Sequence, residues 1–396
     1  ADVASGGSAP QGEPFFGGKN PFVRVQHLDE EGLVVRRWDL ITDEAVKKYR
    51  LRLFPAGTIV FPKSGASIRL EKRAVLPMPA YIVSPLCAVV PDDDRIYRDF
   101  LLYALKHQRL AVEKAEGYPT LALTEIRRLP IPLPSFSEQR AIAHVLRAVQ
   151  EAKEATERVI AALRQLKKRL MRYLFTYGPV PLDQAESIPL RETEIGPIPA
   201  HWQVVRLGKI FHIQQGKALC PAARVGSRMR PFLRTSNILW GRVDLTNIDM
   251  MHFDEGEEKR LTLQPGDLLV CEGGEIGRTA IWEGQLSGCL YQNHLHRLRP
   301  LSSDVYPLFF MYWMELAWKL LGVYGGTGNQ TTIPNLSRSR LASLLLPLPP
   351  LLEQEQIAAI LRTVDRRIEA EENYKRALES LFKTLLHLLM TGKILV

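Results

Sequence analysis

The 396-residue sequence is short of cysteine and of long apolar runs. Its four cysteines are far apart and form no C-x-x-C pair, which argues against a zinc cluster or a disulfide framework and favours a reducing cytoplasm. The most apolar segment, residues 308–324, is interrupted by Glu315 and Lys319 and is too short to span a bilayer. It predicts a buried amphipathic helix, and we expect no membrane partner.

Motifs that carry catalysis are also missing from the sequence. No G-x-x-x-x-G-K-[ST] phosphate loop is present, and no dinucleotide-binding G-x-G-x-x-G opens a helix after a strand. The nearest match, residues 272–277, carries acidic side chains where a phosphate would bind, and the glycines between 322 and 328 come without a lysine. His294 and His296 alternate along a predicted strand, which is not a helical metal spacing. The sequence therefore predicts neither a catalytic centre nor a metal site.

The charge of the chain is moderately basic. The formal net charge is +9, from 52 Lys and Arg against 43 Asp and Glu. This excess permits an anionic partner such as DNA but does not require one, because binding to phosphates depends on a local basic face rather than on the total charge. Charge alone leaves open whether the chain binds nucleic acid or is only a basic protein.

The sequence contains a long internal repeat. The segment from Pro132, PLPSFSEQRAIAHVLRAV, matches the segment from Pro347, PLPPLLEQEQIAAILRTV. Glu138 aligns with Glu353, 215 positions later, and the match continues without a gap to the end of both segments. An ungapped match of this length indicates a duplicated block rather than chance.

The parts that precede these segments match more loosely, at a shift of about 210 positions. Residues 21–24 (PFVR) align with 231–234 (PFLR), and Tyr81 aligns with Tyr291. Two copies are too few for a solenoid, so we infer a duplicated unit with pseudo-two-fold symmetry.

Only the second copy carries an apparent lead-in strand. The segment IPAHWQVVRLGKIFHIQQG runs up to Gly216, whereas the first copy begins almost at the equivalent glycine, Gly6 or Gly7. We expect the corresponding lead-in of the first copy to lie upstream of Ala1.

Each copy begins with an irregular block and ends with a strongly periodic one. The irregular blocks, residues 1–130 and about 200–345, carry short β-type runs and one amphipathic helix each, which predicts an α+β domain with a curved, mostly antiparallel sheet. In the periodic blocks apolar residues recur at three- and four-residue steps for about 40 residues without Pro or Gly. A helix of this length is about 60 Å long and must bury its apolar stripe. We expect two long helices that pair with each other in antiparallel orientation, with a generic dimerisation coiled coil as the open alternative.

These motifs resemble the conserved regions of the specificity subunits of Type I restriction-modification systems. The two PLP…EQ segments are similar to the family's conserved blocks, TEIGPIPAHW at 193–202 to the opening of its second half, and LMTGK at 389–393 to its usual C-terminus. The resemblance covers the whole chain and implies the following division: target recognition domain 1 over residues 1–134, spacer helix 1 over 135–178, a connector over 179–199, target recognition domain 2 over 200–349 and spacer helix 2 over 350–396.

The resemblance also implies a function. Each recognition domain would read one half of a bipartite, asymmetric site in double-stranded DNA, and the helix pair would set the gap between the halves. Two modification subunits would bring S-adenosylmethionine and methylate adenine, and restriction subunits, which are motor-nucleases, would use ATP and Mg²⁺. This chain would be non-catalytic and would bind no cofactor itself. A coiled-coil scaffold that does not bind nucleic acid stays open as the alternative, and the missing motifs disfavour a fused enzyme.

The residues that could read DNA are selected by chemical type, since Lys and Arg suit phosphates and Arg, Asn, Gln, Ser and Thr suit base edges. In the first block the candidates are Lys47, Lys48, Arg50, Lys63, Ser64, Arg69, Lys72 and Arg73. In the second block they are Arg224, Arg228, Arg230, Arg278, Gln330 and Thr331. A further basic group near the end of the first long helix could meet phosphates, an acidic subunit surface or only solvent: Lys167, Lys168, Arg169 and Arg172. Because the two blocks differ in these residues, we expect the two half-sites to differ in base sequence.

Overall fold

The structure is a computed structural model that describes residues 1–29, 32–108, 110, 120–324 and 335–396. The chain divides into two compact units: unit 1 comprises residues 1–157 and 373–396, and unit 2 comprises residues 158–372. Each unit therefore combines one irregular block with parts of both periodic segments. This division cuts across the domain boundaries expected from the sequence, which remain a prediction.

The irregular block of unit 1 is built from short strands and helices. The strands are β1 (Asp2–Ser5), β2 (Phe16–Val23), β3 (Asp39–Ile41), β4 (Ile59–Pro62), β5 (Ala74–Val75), β6 (Tyr81–Ile82) and β7 (Leu86–Val90). The helices are α1 (Asp43–Lys48), α2 (Arg98–His107) and α3 (Leu123–Arg127). Strands β1, β7, β4 and β5 form an antiparallel sheet in that order. Strand β2 pairs with β3 in antiparallel and with β6 in parallel orientation.

Unit 2 is built in the same way, after the long helix α4 (Phe136–Tyr177). Its strands are β8 (Leu190–Arg191), β9 (Ile198–Pro199), β10 (Gln203–Arg206), β11 (Phe211–Gln215), β12 (Met229–Leu233), β13 (Ile238–Leu239), β14 (Arg242–Val243), β15 (Asp249–His252), β16 (Leu268–Cys271), β17 (Thr279–Ile281), β18 (Leu290–Tyr291), β19 (Leu295–Pro300) and β20 (Leu345–Leu348). Its short helices are α5 (Leu207–Ile210), α6 (Glu255–Leu261), α7 (Pro307–Leu316) and α8 (Arg338–Ser343), and the second long helix is α9 (Leu351–Met390). Strands β11, β19, β16 and β17 form an antiparallel sheet, and β12 lies between antiparallel β15 and parallel β18.

The two units share one sheet topology, so the internal repeat of the sequence is also a repeat of the fold. In each unit the two sheets contribute to a common core, since Phe22 of β2 and Val60 of β4 lie in one buried cluster, as do Phe232 of β12 and Leu269 of β16. The expected α+β class is confirmed. In each block the mostly antiparallel strands are divided between a four-stranded antiparallel sheet and a three-stranded mixed one.

Strand pairing refines the alignment of the two copies by one residue. Val23 pairs with Ile82 in unit 1, and Leu233 pairs with Tyr291 in unit 2. Ile82 therefore occupies the position of Tyr291, and the match of Tyr81 with Tyr291 is wrong by one residue. The shift between the copies is not constant because loop lengths differ.

Gly6 and Gly216 occupy equivalent positions where two backbones approach closely. A Cβ on Gly6 would lie 2.2 Å from the carbonyl oxygen of Val83, and a Cβ on Gly216 would lie 2.4 Å from that of Gln292. Any side chain there would push the two strands apart, so only glycine fits. Of the two glycines that the sequence left open, Gly6 is the equivalent of Gly216.

The two long helices lie where the periodicity predicts them, over Phe136–Tyr177 and Leu351–Met390. Each is followed closely by a glycine with left-handed backbone, Gly178 at φ 83° and Gly392 at φ 65°. Glycine adopts this conformation without steric cost, which explains why both helices end there.

In unit 1 the first half of α4 lies beside the second half of α9. Glu157 of α4 pairs with Lys375 of α9 at 2.9 Å, while Ile142, nearer the start of α4, lines one cavity with Leu389, nearer the end of α9. As the residue number rises along α4, the residue number of its contact on α9 falls. The two segments are therefore antiparallel within this unit.

In unit 2 the remaining parts of the helices pair in the same sense. Arg164 forms a 2.6 Å ion pair with Glu372, and Lys167 forms a 2.8 Å ion pair with Asp365. The antiparallel pairing expected from the pseudo-symmetry is therefore confirmed within each unit.

The glutamines of the repeated Glu-Gln motif anchor each long helix to its own irregular block. Gln139 is 1% exposed, and its side-chain oxygen accepts a hydrogen bond from the backbone N–H of Tyr97 at 2.7 Å. Gln354 is fully buried and accepts from the backbone N–H of Tyr306 at 2.8 Å. Each amide also donates to a backbone carbonyl just ahead of its helix. A buried amide with matched partners fixes the angle at which the helix leaves the block.

Among the described residues, no helix is long and apolar enough to cross a membrane. The apolar segment expected to form a buried helix is α7, which continues into a π-helical turn over Ala317–Leu321. Phe309 and Phe310 of α7 are almost fully buried in the core of unit 2.

Candidate nucleic-acid interface

Both units carry the same ion pair beside β2 or β12. In unit 1 the guanidinium of Arg24 lies 2.6 Å from the carboxylate of Asp39, and in unit 2 that of Arg234 lies 3.0 Å from Asp249. The two arginines follow equivalent strands directly, and the two aspartates lie on the equivalent neighbours β3 and β15. A contact found in both copies belongs to the shared scaffold, so residues that differ at equivalent places are the better candidates for reading different sequences.

One such place is occupied by Asn20 and Arg230, each three residues before the end of its strand, β2 or β12. Asn20 precedes Phe22 by two positions and Arg230 precedes Phe232 by two, and the two phenylalanines have the same strand partners. In unit 2 both Arg228 and Arg230 bind the carboxylate of Glu258 on α6, at 3.1 and 3.0 Å. We call Arg228, Arg230 and Glu258 the unit 2 donor site.

The unit 2 donor site brings two predicted residues together on one acid. Hydrogen bonds from Arg228 and then Arg230 lower the pKa of Glu258 to about 2, so the carboxylate is ionised at any physiological pH. Both arginines are largely exposed. Glu258 therefore holds two forked cationic donors at the surface without removing them from solvent.

Unit 1 has a different set of donors at the equivalent place. The Asn20 amide donates to the carboxylate of Asp43 at 2.9 Å, and the ammonium of Lys19 lies 3.2 Å from the same group. Asp43 begins α1, the helix that corresponds to α6, and the hydrogen bond from Asn20 followed by that from Lys19 lowers its pKa. We call Lys19, Asn20 and Asp43 the unit 1 donor site. Sequence reasoning missed these residues, although aligning the repeat at a shift of 210 places Asn20 on Arg230.

The other predicted residues of unit 1 lie in two segments. Lys47, Lys48 and Arg50 lie on α1 and just after it, and all three are exposed. The ammonium of Lys48 also lies 4.5 Å from the ring centre of Phe15. Lys47 and Lys48 follow Asp43 on α1, and Arg50 lies two residues after that helix, so all three are close in sequence to the unit 1 donor site.

The second segment follows β4. Lys63 and Ser64 are half-buried beside residues 120–121, to which their backbones pair, and Arg69 is exposed. The ammonium of Lys72 donates to the backbone carbonyl of Leu28 at 2.8 Å. The side chain of Lys72 therefore stabilises the local structure through this hydrogen bond.

Arg73 is the predicted residue whose position requires correction. It is 2% exposed, is paired with Glu71, and lies 4.9 Å from the ring centre of Phe61. Burial lowers the pKa of its guanidinium, and Glu71 counteracts that effect. A residue enclosed in this way holds the interior together and does not reach a ligand, so we remove Arg73 from the candidate interface.

The remaining predicted residues of unit 2 are more scattered. Arg224 is exposed, whereas Arg278 is half-buried and donates to the backbone carbonyl of Thr235 at 2.8 Å. Gln330 and Thr331 lie outside the described residues. In the basic group at the end of α4, Lys167 is enclosed rather than solvated, with its ammonium between the carboxylates of Glu315 and Asp365.

Within the part of the chain that the structure describes, no cluster of His, Cys, Asp or Glu is arranged to hold a metal ion. His296 is fully buried against the backbone carbonyl of Leu336 at 3.0 Å, and His294 is exposed. Burial raises the pKa of Cys87 and Cys289 to about 12, so these thiols stay protonated and are poor nucleophiles.

Comparison with known families gives this arrangement a context. The Type I restriction modification DNA specificity domain matches residues 1–165 and again 199–380. The chain belongs to this family. Both matches cover one irregular block and most of the long helix that follows it, so the family's domain corresponds to the repeat. The resemblance found in the PLP…EQ segments is thereby confirmed.

Relatives in this family are similar over most of their length. The putative type I restriction enzyme MjaX specificity subunit of Methanocaldococcus jannaschii is 26% identical over 392 residues, which cover 95% of this chain and 87% of the relative. The MjaVIII specificity subunit of the same organism is 27% identical over 332 residues, covering 80% and 75%. The EcoBI specificity subunit of Escherichia coli is 22% identical over 320 residues, covering 76% and 64%.

Solved structures share the fold. A chain from a structure on complex assembly and conformational transition of the type I R-M system has a TM-score of 0.58 at 18% identity, covering 99% of this chain and 95% of that one. The S subunit of the Type I restriction-modification system from M. genitalium also has a TM-score of 0.58, at 17% identity, with 98% and 93% covered. At these identities the likeness concerns the fold alone.

Proposed function

We propose that this specificity-family chain reads a bipartite, asymmetric sequence in double-stranded DNA, with one half read by each unit. The observation that carries the proposal is the donor site, which occurs at the same place in both units with different side chains. In unit 1 it presents Lys19 and Asn20, and in unit 2 it presents Arg228 and Arg230. Two half-sites of different sequence require the same scaffold with different hydrogen-bond donors in the two units.

The donor types suggest what each half-site contains. Arginine donates two hydrogen bonds to O6 and N7 of guanine, whereas asparagine pairs with N6 and N7 of adenine in the major groove. We therefore assign a guanine contact to the unit 2 donor site. Both amide hydrogens of Asn20 are taken by the Ile41 carbonyl and the Asp43 carboxylate, so we assign to Asn20 an adenine contact in which its amide oxygen accepts from N6. The exposed cations Lys47, Lys48, Arg50, Arg69 and Arg224 suit phosphate contacts, and we also keep Lys63, Ser64, Lys72, Arg278, Gln330 and Thr331 as proposed contacts.

The continuous helices suggest how the two halves are combined. Both α4 and α9 contribute residues to both units, so we propose that their length sets the unspecified gap between the half-sites. We further propose that the chain is non-catalytic and acts in the cytoplasm. Two adenine methyltransferase subunits would supply S-adenosylmethionine, and motor-nuclease subunits would supply the ATP- and Mg²⁺-dependent activity.

The experiment that tests this function is methylome mapping. The chain is expressed with its methyltransferase subunit in a host that lacks other adenine methylation, and modified adenines are mapped by single-molecule sequencing. We expect one bipartite motif with a fixed gap. The double variant Arg228→Gln/Arg230→Gln should relax or change one half of that motif and leave the other half and the gap intact, because it alters the donors of one unit only.

Lys259→Gln is the matched control, because Lys259 lies beside Glu258 on α6 but pairs with Glu255 at 3.0 Å. It should leave the motif unchanged. The competing function, a scaffold that does not bind nucleic acid, predicts that the chain with its partner retains no DNA and that partner binding is insensitive to salt. Equal retention of a matched site and of scrambled DNA by the assembled complex would count against sequence recognition.

A further inference from the structure

The second half of α4 carries charges of one sign only. Residues 158–182 contain no Asp or Glu. Six cations lie in the same stretch: Arg158, Arg164, Lys167, Lys168, Arg169 and Arg172. All six belong to unit 2, and all except Lys167 are exposed. This segment is therefore a local basic face, which is what binding to phosphates requires.

The fold neutralises only two of these six cations. Arg164 and Lys167 take part in the ion pairs described above. The other four have no acidic partner among the described residues: Arg158, Lys168, Arg169 and Arg172. Arg172 donates only to the neutral backbone carbonyl of Leu320, at 3.5 Å. Four positive charges are therefore left uncompensated on the surface of unit 2. We call these four residues the unit 2 basic stripe.

The geometry of the helix aligns most of the unit 2 basic stripe along one face. Arg169 and Arg172 follow Arg158 by 11 and 14 residues, which is close to three and four helical turns. Ala162 lies between them and is exposed, so no bulky side chain separates the cations. From Arg158 to Arg172 the helix rises about 21 Å, which corresponds to about six base pairs of duplex DNA. The stripe is thus long enough to contact several phosphates.

An open cavity of about 430 Å³ adjoins the stripe. Lys168 lines it together with Arg164 and with Lys319, which lies in the turn after α7. Four cations and two acids line this cavity in all, and the two acids are the carboxylates that share the ammonium of Lys167. The excess of positive charge favours an anion such as a phosphate group.

The unit 2 basic stripe is not repeated in unit 1. At the shift of 215 positions its four residues correspond to Asn373, Lys383, Thr384 and His387, in that order. A protein that docks once on each copy, as proposed for the methyltransferase subunits, would need equivalent residues in both copies. The phosphates of duplex DNA impose no such symmetry, because they are contacted without regard to base sequence. The charge and its restriction to one copy therefore favour DNA over a subunit that binds twice.

We propose that the unit 2 basic stripe binds backbone phosphates in the unspecified gap of the DNA site, next to the half-site that unit 2 reads. This contact rests on the function proposed above. The stripe belongs to α4, the helix that contributes residues to both units, and the gap lies between the two half-sites. A phosphate contact carries no base information, so it raises the affinity for every sequence by the same factor.

The salt dependence of DNA affinity tests the stripe. The chain in complex with its methyltransferase subunit is titrated with a labelled duplex that carries the mapped motif and with a scrambled duplex, at several salt concentrations. Lys168→Gln/Arg169→Gln/Arg172→Gln should bind both duplexes at least about tenfold more weakly than the native chain. The slope of log affinity against log salt should become shallower by about 2–3, because three phosphate contacts are lost. The ratio of the two affinities and the methylated motif should stay unchanged.

A control with the same change in net charge separates a local contact from a general electrostatic effect. Arg128→Gln/Arg376→Gln/Lys383→Gln removes three exposed cations of unit 1 and should leave the slope close to the native value. Ethylation of phosphates in the gap should weaken binding of the native complex and of the control, but not further weaken the stripe variant. Equal slopes for the two triple variants overturn the proposal. A native complex that binds both duplexes equally contradicts sequence recognition instead, so the two failures are distinguishable.

Binding without DNA tests the competing ligand, an acidic protein surface. The stripe variant should associate with the methyltransferase subunit as tightly as the control does, and its thermal unfolding midpoint should equal that of the native chain. Association that is lost in the stripe variant alone, at an unchanged midpoint, would show that the stripe binds that subunit and would overturn the assignment to DNA.

Discussion

The ammonium of Lys167 lies 2.8 Å from the carboxylate of Asp365, with that of Glu315 at 2.9 Å, and the lysine side chain is only 14% exposed. The repeat places Phe382 at the corresponding position of unit 1, where its ring packs edge-on against Tyr103 with 6.0 Å between centres. One position of the repeat thus carries an ion cluster in one unit and an aromatic pair in the other. This difference favours the pairing of each helix end with its proper block.

We predict that Lys167→Met lowers the free energy of unfolding by about 2–4 kcal/mol, because two partly buried carboxylates lose the ammonium that they share; Glu315 then keeps only Lys319, and Asp365 only the Tyr312 hydroxyl. Urea denaturation followed by circular dichroism measures the loss. Lys168→Met, at the exposed neighbouring position, is the control and should change stability by less than about 0.5 kcal/mol. Equal midpoints for the two variants would show that the cluster adds nothing to stability.

The stabilisation that Lys167 contributes through this ion cluster depends on pH in a direction that can be predicted. Burial acts to lower the pKa of Lys167, but Glu315 and Asp365 outweigh it and raise the pKa above the ordinary value of 10.5. A raised pKa in the folded state means that the stabilisation is complete below the unfolded value and is lost as pH rises through the folded value. We therefore expect the stability difference between the native chain and Lys167→Met to be constant from neutral pH to about pH 10 and to shrink above it. A difference that already shrinks near pH 8 would contradict this.

The unit 2 donor site can be followed by titrating one carboxylate. Arg228 and Arg230 lower the pKa of Glu258 to about 2, so its contribution is present above the ordinary value of 4.5 and is lost as pH falls toward 2. In Arg228→Gln/Arg230→Gln, the carbon NMR signal of the Glu258 carboxyl should titrate near its ordinary value instead. The Lys259→Gln control should leave the midpoint low.

The anchoring glutamines should be costly to remove. Gln139→Ala and Gln354→Ala each empty a buried side-chain position and leave a partly buried backbone N–H without its acceptor, and we expect each to cost about 2–3 kcal/mol of unfolding free energy. Hydrogen exchange at Tyr97 or Tyr306 should rise only in the unit that carries the substitution. Gln165→Ala, at an exposed position of α4, should have no such effect.

The repeat, the long helices and their antiparallel pairing could be predicted because self-alignment and apolar periodicity are properties of the sequence itself. The parallel pairing of β2 with β6 could not, since β6 is only two residues long and its partner is chosen by the tertiary core. For the same reason the sequence gives no sign that Arg73 is enclosed. Its burial depends on Phe61 and Glu71, and residue type alone favours a surface position for arginine.

The donor sites could also be predicted only in part from the sequence. Residue type identified Arg228 and Arg230, but the acid that holds them comes from a helix 28–30 positions further on. Asn20 was missed because a single asparagine has no distinctive signal until the strand register of the two copies is superposed. The proposed DNA contacts themselves stay predictions.

The composition of unit 1 has a consequence for the order of events during synthesis. Its core contains Phe382, Leu386, Leu389 and Met390, which leave the ribosome only after residues 158–372 have been made. At typical synthesis rates of 5–20 residues per second, those residues take about 10–40 s to translate. During that interval the first block exposes an incomplete apolar core, which is filled only when residues 382–390 have been made. Truncation near the C-terminus should therefore damage the block that is made first.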